Sequence, residues 1–245
     1  MNEHRPMETL DELLEQEEHL ARSLIHKLQA GACVDAHLGG EFSYLEMNLD
    51  LWRRFFTLLG YTLKQSELGG ETFYFLEARS TSVSTVRLSR GATFLGLYLA
   101  WHFLSQGMES MDKIGARNVM DALRSSFDFN MLMTVFNPKS KGKMRKRQES
   151  RKQHENLQSW MRSCLNELHR QRSIELGPNM RAGWEELTIY RLPGLQRFWD
   201  LARDALVLDQ SPEEVDLAAT VTRVWERVEP EEDANGSEDD AHAQT

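Results

Sequence analysis

Cysteine is nearly absent from this chain of 245 residues, which holds two, Cys33 and Cys164. They stand far apart and in no CxxC arrangement, which excludes a disulfide framework and a zinc module and predicts two free thiols in a reducing compartment. Long apolar runs are lacking too. The longest, Gly91 to Leu104, has His102 inside it and is too short to cross roughly 30 Å of hydrocarbon, so it reads as a buried helix and no membrane contact is expected. The first thirty residues carry acids and no apolar core, so they are not a secretory signal, and a cytoplasmic protein is expected. No collagen, coiled-coil or solenoid period occurs. With 40% hydrophobic and 27% charged residues, what remains is an ordinary globular composition, long enough for two small domains and a tail.

Catalytic signatures are equally scarce. The one Gly-Lys pair, Gly142-Lys143, is followed by Met144, so the Ser or Thr of a phosphate-binding loop is missing. There is no GxSxG elbow and no HExxH helix. His19 and His26 lie seven apart on one predicted helix without a supporting Cys or carboxylate geometry, and read as solvated or half-buried side chains. Acid pairs such as Asp11-Glu12 and Glu185-Glu186 lack a visible pocket to shift a pKa. Cys164 falls in the stripe Leu157, Met161, Cys164, Leu165, Leu168, the place of a core thiol rather than a nucleophile. No enzyme activity, cofactor or metal is expected.

Positive charge is in deficit, 29 Lys and Arg against 38 Asp and Glu for a net −9, and much of it is gathered in one place. Between Lys139 and Arg172 stand eleven basic residues and three acids, +8, which leaves 18 basic and 35 acidic residues, −17, for the rest. A run of like charge is commonly a solvated loop. Here it leads into a predicted amphipathic helix, Gln153 to Gln171, whose outer face carries Glu155, Ser159, Arg162, Ser163, Asn166, His169 and Arg170, the residue types of a recognition helix. Lys139, Lys141, Lys143, Arg145, Lys146, Arg147, Arg151, Lys152, Arg162 and Asn166 are therefore the candidate DNA contacts. The loop 137–155, with Gly142 and no apolar periodicity, is expected to order only on a DNA or protein partner.

Around this segment the apolar pattern predicts helices and short hairpins. Leu10, Leu13, Leu14, Leu20, Leu24, Ile25 and Leu28 give one amphipathic helix from Glu8 to Ala30 with a Gly31 stop. A second starts at Ser43, where Ser43 and Glu46 have capping-box spacing, and Gly60 ends it. A hairpin follows, YTLKQSE and ETFYFLE across Leu68, Gly69 and Gly70. The order then repeats with Ala92 to Ser105, a helical stretch MDKIGARNVMDALRSSF, the basic segment and its helix, and a hairpin from SIELG and WEELTIYRL. The fold class is mainly α with small β-hairpin wings (α+β): tandem winged-helix domains, 1–86 and 87–193, with C-terminal helices over 194–228. A tail over 229–245, with seven acids and no Lys or Arg, is expected to be disordered. The aromatic segments must be covered, by the facing domain or by a subunit, which makes Trp52, Phe55, Phe56, Tyr98 and Trp101 candidate partner-facing residues.

GETFYFLEARSTSVSTVRLSR with the helix FLGLYLAWHFLS, preceded by CVDAHLGGEFSYLEMNLDLWRRFFTLLGYTL and followed by LQSWMRSCLNELHRQRSIEL, resembles the MukE and MksE condensin subunits, tandem winged-helix proteins of the KITE group. The resemblance covers roughly Gly31 to Arg203, and the dense basic stretch favours the MksE-like branch. It implies a homodimeric, non-catalytic accessory subunit that binds a kleisin (MksF- or MukF-like), reaches an SMC ATPase (MksB- or MukB-like) through it, and helps clamp double-stranded DNA. Such a subunit is nucleoid-associated and serves chromosome organisation and segregation or, in related systems, plasmid defence. The alternative is an autonomous winged-helix regulator or replication initiator, which would discriminate its operator from random DNA by several kcal/mol. The acidic tail is either a solubiliser or a cover for the basic segment. If it is a cover, deleting the residues after Val228 raises DNA affinity at low salt; unchanged affinity in a titration assigns the tail to solubility alone.

Overall fold

The computed structural model describes residues 9–15, 17–80, 87–105, 112–137, 151–178 and 183–206. The first half contains α1 (Leu10–Glu15), α2 (Glu18–Gln29), β1 (Val34–Asp35), α3 (Gly40–Met47), α4 (Leu49–Leu58), β2 (Tyr61–Leu68) and β3 (Glu71–Ala78). The second contains α5 (Arg90–Ser105), β4 (Lys113–Gly115), α6 (Ala116–Ser126), α7 (Phe129–Phe136), α8 (Arg151–Arg170), β5 (Ile174–Gly177) and β6 (Thr188–Arg191), followed by α9 (Gln196–Leu206). Each half carries one antiparallel three-stranded sheet, ordered β1-β3-β2 and β4-β6-β5. Helix, strand, helices, hairpin therefore occurs twice. The fold is mainly helical with small hairpin wings, two winged helices in tandem.

The predicted single N-terminal helix is two. Thr9 and Glu12 make the reciprocal contacts of a capping box, Glu12 N–H to Thr9 Oγ1 at 3.2 Å and Thr9 N–H to Glu12 Oε2 at 3.3 Å, so α1 starts there. The Ser43–Glu46 box does not form. α3 begins at Gly40, and Ser43 lies inside it, its N–H donating to Gly39 O. The predicted helix from Ser43 to Gly60 breaks at Asn48, which is buried and whose side chain donates to Tyr44 O at 3.0 Å. An Asn amide competing for a helical carbonyl is a local reason to turn. It separates α3 from α4, and the buried Tyr44 hydroxyl then reaches back to Leu13 O at the end of α1.

The first hairpin is as the sequence predicts, registered from Tyr61 with Ala78 to Leu68 with Glu71. Gly69 and Gly70 have φ of 59° and 82°, the two left-handed positions of a type I′ turn, which glycine takes without strain. In the second half the stretch predicted as one helix from Met111 yields β4 first, because Ile114 pairs with Ile189. The sequence reading passed over α7. Its eight residues are apolar nearly throughout and show no period, but Asp128 Oδ1 accepts Asn130 N–H at 2.8 Å and Met131 N–H at 3.2 Å, an ordinary N-cap. The second ladder is short, Ile174–Gly177 against Thr188–Arg191, and the part read as strand from Trp184 to Leu187 is a turn with Trp184 buried. The final helix of the predicted C-terminal pair and the acidic tail lie outside the described residues.

Two separate apolar clusters result. One contains Leu13, Leu24, Leu28, Tyr44, Trp52, Phe56 and Tyr74, all buried. The other surrounds α5 and takes in Leu123, Leu132, Phe136, Leu157, Leu165, Ile189 and Phe198. α5 is covered on almost every side, and its glycines let neighbours approach. A β-carbon at Gly96 would overlap the ring of Phe198 from α9, itself 6% exposed. Gly96→Ala gains about 0.5–1 kcal/mol of helix propensity but overpacks this contact at a cost of about 1–3 kcal/mol. The expected result is a net loss of stability, read as a lower urea midpoint.

Candidate nucleic-acid interface

α8 is the last helix of the second winged helix before the β5–β6 hairpin. Leu157, Met161, Cys164, Leu165 and Leu168 are buried against α5 and its neighbours. Lys152, Glu155, Asn156, Ser159, Ser163 and Arg170 are exposed on the far side. Two-sidedness is thus built by a period of three and four in the apolar residues, as the sequence predicts. Near its start His154 packs on Phe129 of α7, ring centroids 5.3 Å apart.

The candidate DNA contacts divide into three groups. Lys139, Lys141, Lys143, Arg145, Lys146 and Arg147 lie outside the described residues, as does the expectation that their loop orders on binding. Arg151 opens α8 and Lys152 is exposed on its first turn. Arg162 and Asn166 are half-buried, and Asn166 Oδ1 is buried without a hydrogen-bond partner. Asn166 is therefore not presented to a groove as a base reader needs to be.

The aromatic candidates correct the sequence reading more sharply. Trp52 and Phe56 are fully buried, stacked at 5.7 Å between centroids, with Tyr44 edge-on to Trp52 at 5.9 Å. Tyr98 is 2% exposed. These three fill the chain's own cores, since α4 and α5 each turn their largest rings inward, and they offer no surface to another protein. Phe55 and Trp101 are half-buried. Phe55 lies edge-on to Trp52, and Trp101 lies 6.5 Å from Tyr98. Next to Phe55 on α4, Arg53 and Arg54 face solvent.

The thiols are quiet. Burial pushes Cys33 upward from its ordinary pKa despite the nearby Arg197, and pushes Cys164 up to about 12. Burial also lowers His102 and raises Tyr98. Among the described residues no group of three or more His, Cys, Asp or Glu is arranged to hold a metal ion. No described helix is long and apolar enough to cross a membrane.

Sequence reading missed the contacts that join the two winged helices. Arg172, just after α8, donates to Asp35 of β1 at 3.0 Å, and Cys33 N–H donates to Gln171 O at 3.1 Å. Arg197 of α9 donates to Gly31 O at 3.2 Å and lies 4.7 Å from the centre of the Phe75 ring. Nothing local marks these residues, because the partners are more than a hundred positions apart. Nearby, Glu41 accepts from Lys27 Nζ at 2.6 Å and from the Ser23 hydroxyl.

A repeated helix, strand, helices and hairpin, with a two-faced helix before the hairpin of the second copy, defines a tandem winged-helix protein. The chain belongs to the MksE family: the family described as condensin complex protein MksE matches residues 19–192. It is a condensin complex subunit. Comparison with curated proteins gives no match.

Burial would raise the pKa of Glu41, but hydrogen bonds from Lys27 and Ser23 and the charges of Lys27 and Arg172 hold it below the usual value. A depressed carboxylate contributes stability above its unfolded pKa and loses it as pH falls through the folded one. Glu41→Gln is expected to cost about 1–2 kcal/mol at pH 7. The gap from the parent protein should close as the pH falls below the ordinary Glu range, read by urea unfolding across pH.

Proposed function

We propose that this subunit acts without catalysis of its own, as a homodimer that binds a kleisin, reaches the SMC ATPase through it, and contacts double-stranded DNA through the second winged helix. The single observation that supports the DNA contact is α8. Its apolar stripe is buried, its far face is polar, and the chain enters it directly from the basic segment ending at Arg151 and Lys152. Lysine and arginine there would neutralise phosphates and position the helix. Asn166, with its oxygen turned inward, favours backbone contact over base reading. A chain that is −17 outside the segment repels DNA over most of its surface, which restricts binding to one orientation and suits a subunit held beside other DNA-contacting parts. The biological outcome is chromosome organisation and segregation, or plasmid removal in a defence assembly, with the protein on the nucleoid in either case.

About five phosphate contacts give a slope of log affinity against log salt near −4 to −5. Replacing Lys143, Arg145, Lys146 and Arg147 with Ala should flatten this slope by about 3–4 with little change in sequence preference. Asn166→Ala should leave affinity nearly unchanged. Fluorescence titrations on random duplexes at several salt concentrations check both, and an unchanged slope in the fourfold variant removes the DNA reading. Co-purification with a co-expressed kleisin and the mass of the free subunit by light scattering check the partner and the dimer. A monomer that ignores the kleisin overturns that part.

A further inference from the structure

Polar groups gather at the junction between the winged helices, around Asp35, which is fully buried, and Arg172, whose side chain is 24% exposed. One carboxylate oxygen does most of the binding. Asp35 Oδ1 accepts Arg172 Nη2 at 3.0 Å and His37 N–H at 3.0 Å, and lies 3.4 Å from His37 Nδ1. Asp35 Oδ2, Arg172 Nε and the Ser173 hydroxyl are buried without hydrogen-bond partners. A guanidinium and a carboxylate free to align make two parallel bonds. Here the fork is half made.

The backbone beside the pair is tightly packed. Gly194 is packed so closely that a β-carbon on it would sit 2.6 Å from Arg172 O and 2.8 Å from Cys33 Sγ. Arg172 itself has φ of 53°, left-handed backbone found at no other described residue except glycines. Such a conformation costs energy and persists where the surroundings impose it. Beside the pair, the halves face each other across a polar cleft of about 240 Å³ lined by His37, Leu68 and Glu71 from the first and Glu175, Tyr190 and Arg191 from the second. Strain, unpaired buried groups and an adjoining cleft are gathered where the two apolar clusters end.

We propose that the Asp35–Arg172 contact is a latch, and that the junction opens and recloses as a unit while both winged helices stay folded. Opening relieves the Arg172 backbone and hydrates Asp35 Oδ2, Arg172 Nε and Ser173 Oγ. Closing restores the Asp35 contact, the Arg197 bond to Gly31 and the Arg197–Phe75 stack. The opening changes the angle between the wings, and so where α8 stands relative to the first domain. It is a two-state element of low local stability between two stable cores, and it is independent of the DNA contact proposed above.

The protein carries its own pair of reporters. Cys33 is fully buried in the junction, under Arg197 and Gly194, whereas Cys164 is buried in the second core beside Gly91. Iodoacetamide labelling of the full-length protein in rising urea, followed by peptide mass spectrometry, reads both, with each rate divided by its rate in the unfolded chain. Cys33 is expected to react ahead of Cys164 and with weaker urea dependence. Asp35→Asn keeps the shape and removes the charge; Arg172→Gly accepts the left-handed backbone and removes the side chain. Each should speed Cys33 by about tenfold, the loss of one charged hydrogen bond, and leave Cys164 unchanged. One common rate and urea dependence for the two thiols in the parent protein overturns the latch. So does acceleration of both thiols together, or a Cys33 rate in both variants within about twofold of the parent.

Discussion

Arg172 and Arg197 belong to the second winged helix, yet both find partners in the first. Arg172 ends on the buried carboxylate of Asp35, and Arg197 on the carbonyl of Gly31 and the face of Phe75. The two apolar clusters are separate, so their relative placement depends on these cations and on the close approach at Gly194. A buried ion pair repays its desolvation only when geometry and further hydrogen bonds are good, and here the fork is incomplete. Arg172 follows directly on the last turn of α8, so whatever fixes Arg172 also fixes the end of that helix. The orientation of the candidate nucleic-acid interface toward the rest of the molecule thus rests on a few contacts: Arg172 with Asp35, Cys33 with Gln171, Arg197 with Gly31 and Phe75, and the close approach at Gly194.

The same order of elements is used twice with different results. In the first copy the helix before the hairpin, α4, is ten residues long and turns Trp52 and Phe56 into the core, which leaves Asp50, Arg53, Arg54, Thr57 and Leu58 outside. In the second the helix before the hairpin, α8, is twenty residues long, its buried residues are aliphatic or sulfur-bearing, and its exposed face carries Lys152, Glu155, Asn156, Ser159, Ser163 and Arg170. Position in the fold alone does not make a nucleic-acid surface; the residue types on the outer face do. That contrast is why the proposed DNA contact is placed on the second winged helix, and Trp52, Phe56 and Tyr98, read along the sequence as partner-facing, belong inside.

Much of this was legible along the chain because the information was local. The Gly69-Gly70 turn, the alternating strands around it, the Gly31 stop and the apolar stripe of α8 are all properties of a dozen residues or fewer, and each fold element they predict is present. Local signals failed where a short polar contact outweighed them. Asn48 divides a continuous apolar pattern by taking the carbonyl of Tyr44, Thr9 with Glu12 caps a helix begun later than the pattern suggested, and β4 is a strand only because β6 lies beside it.

By itself, then, the sequence determined the class: winged helices in tandem, the segregated charge, the two-faced helix behind it and the likeness to condensin subunits. Tertiary structure decided which aromatic rings were core, turned Asn166 Oδ1 inward, and brought Asp35 to Arg172 across 137 positions. The physical reason is range. Periodicity, turn chemistry and charge are carried by neighbours in the chain, whereas burial and a salt bridge between domains exist only after the chain has closed on itself.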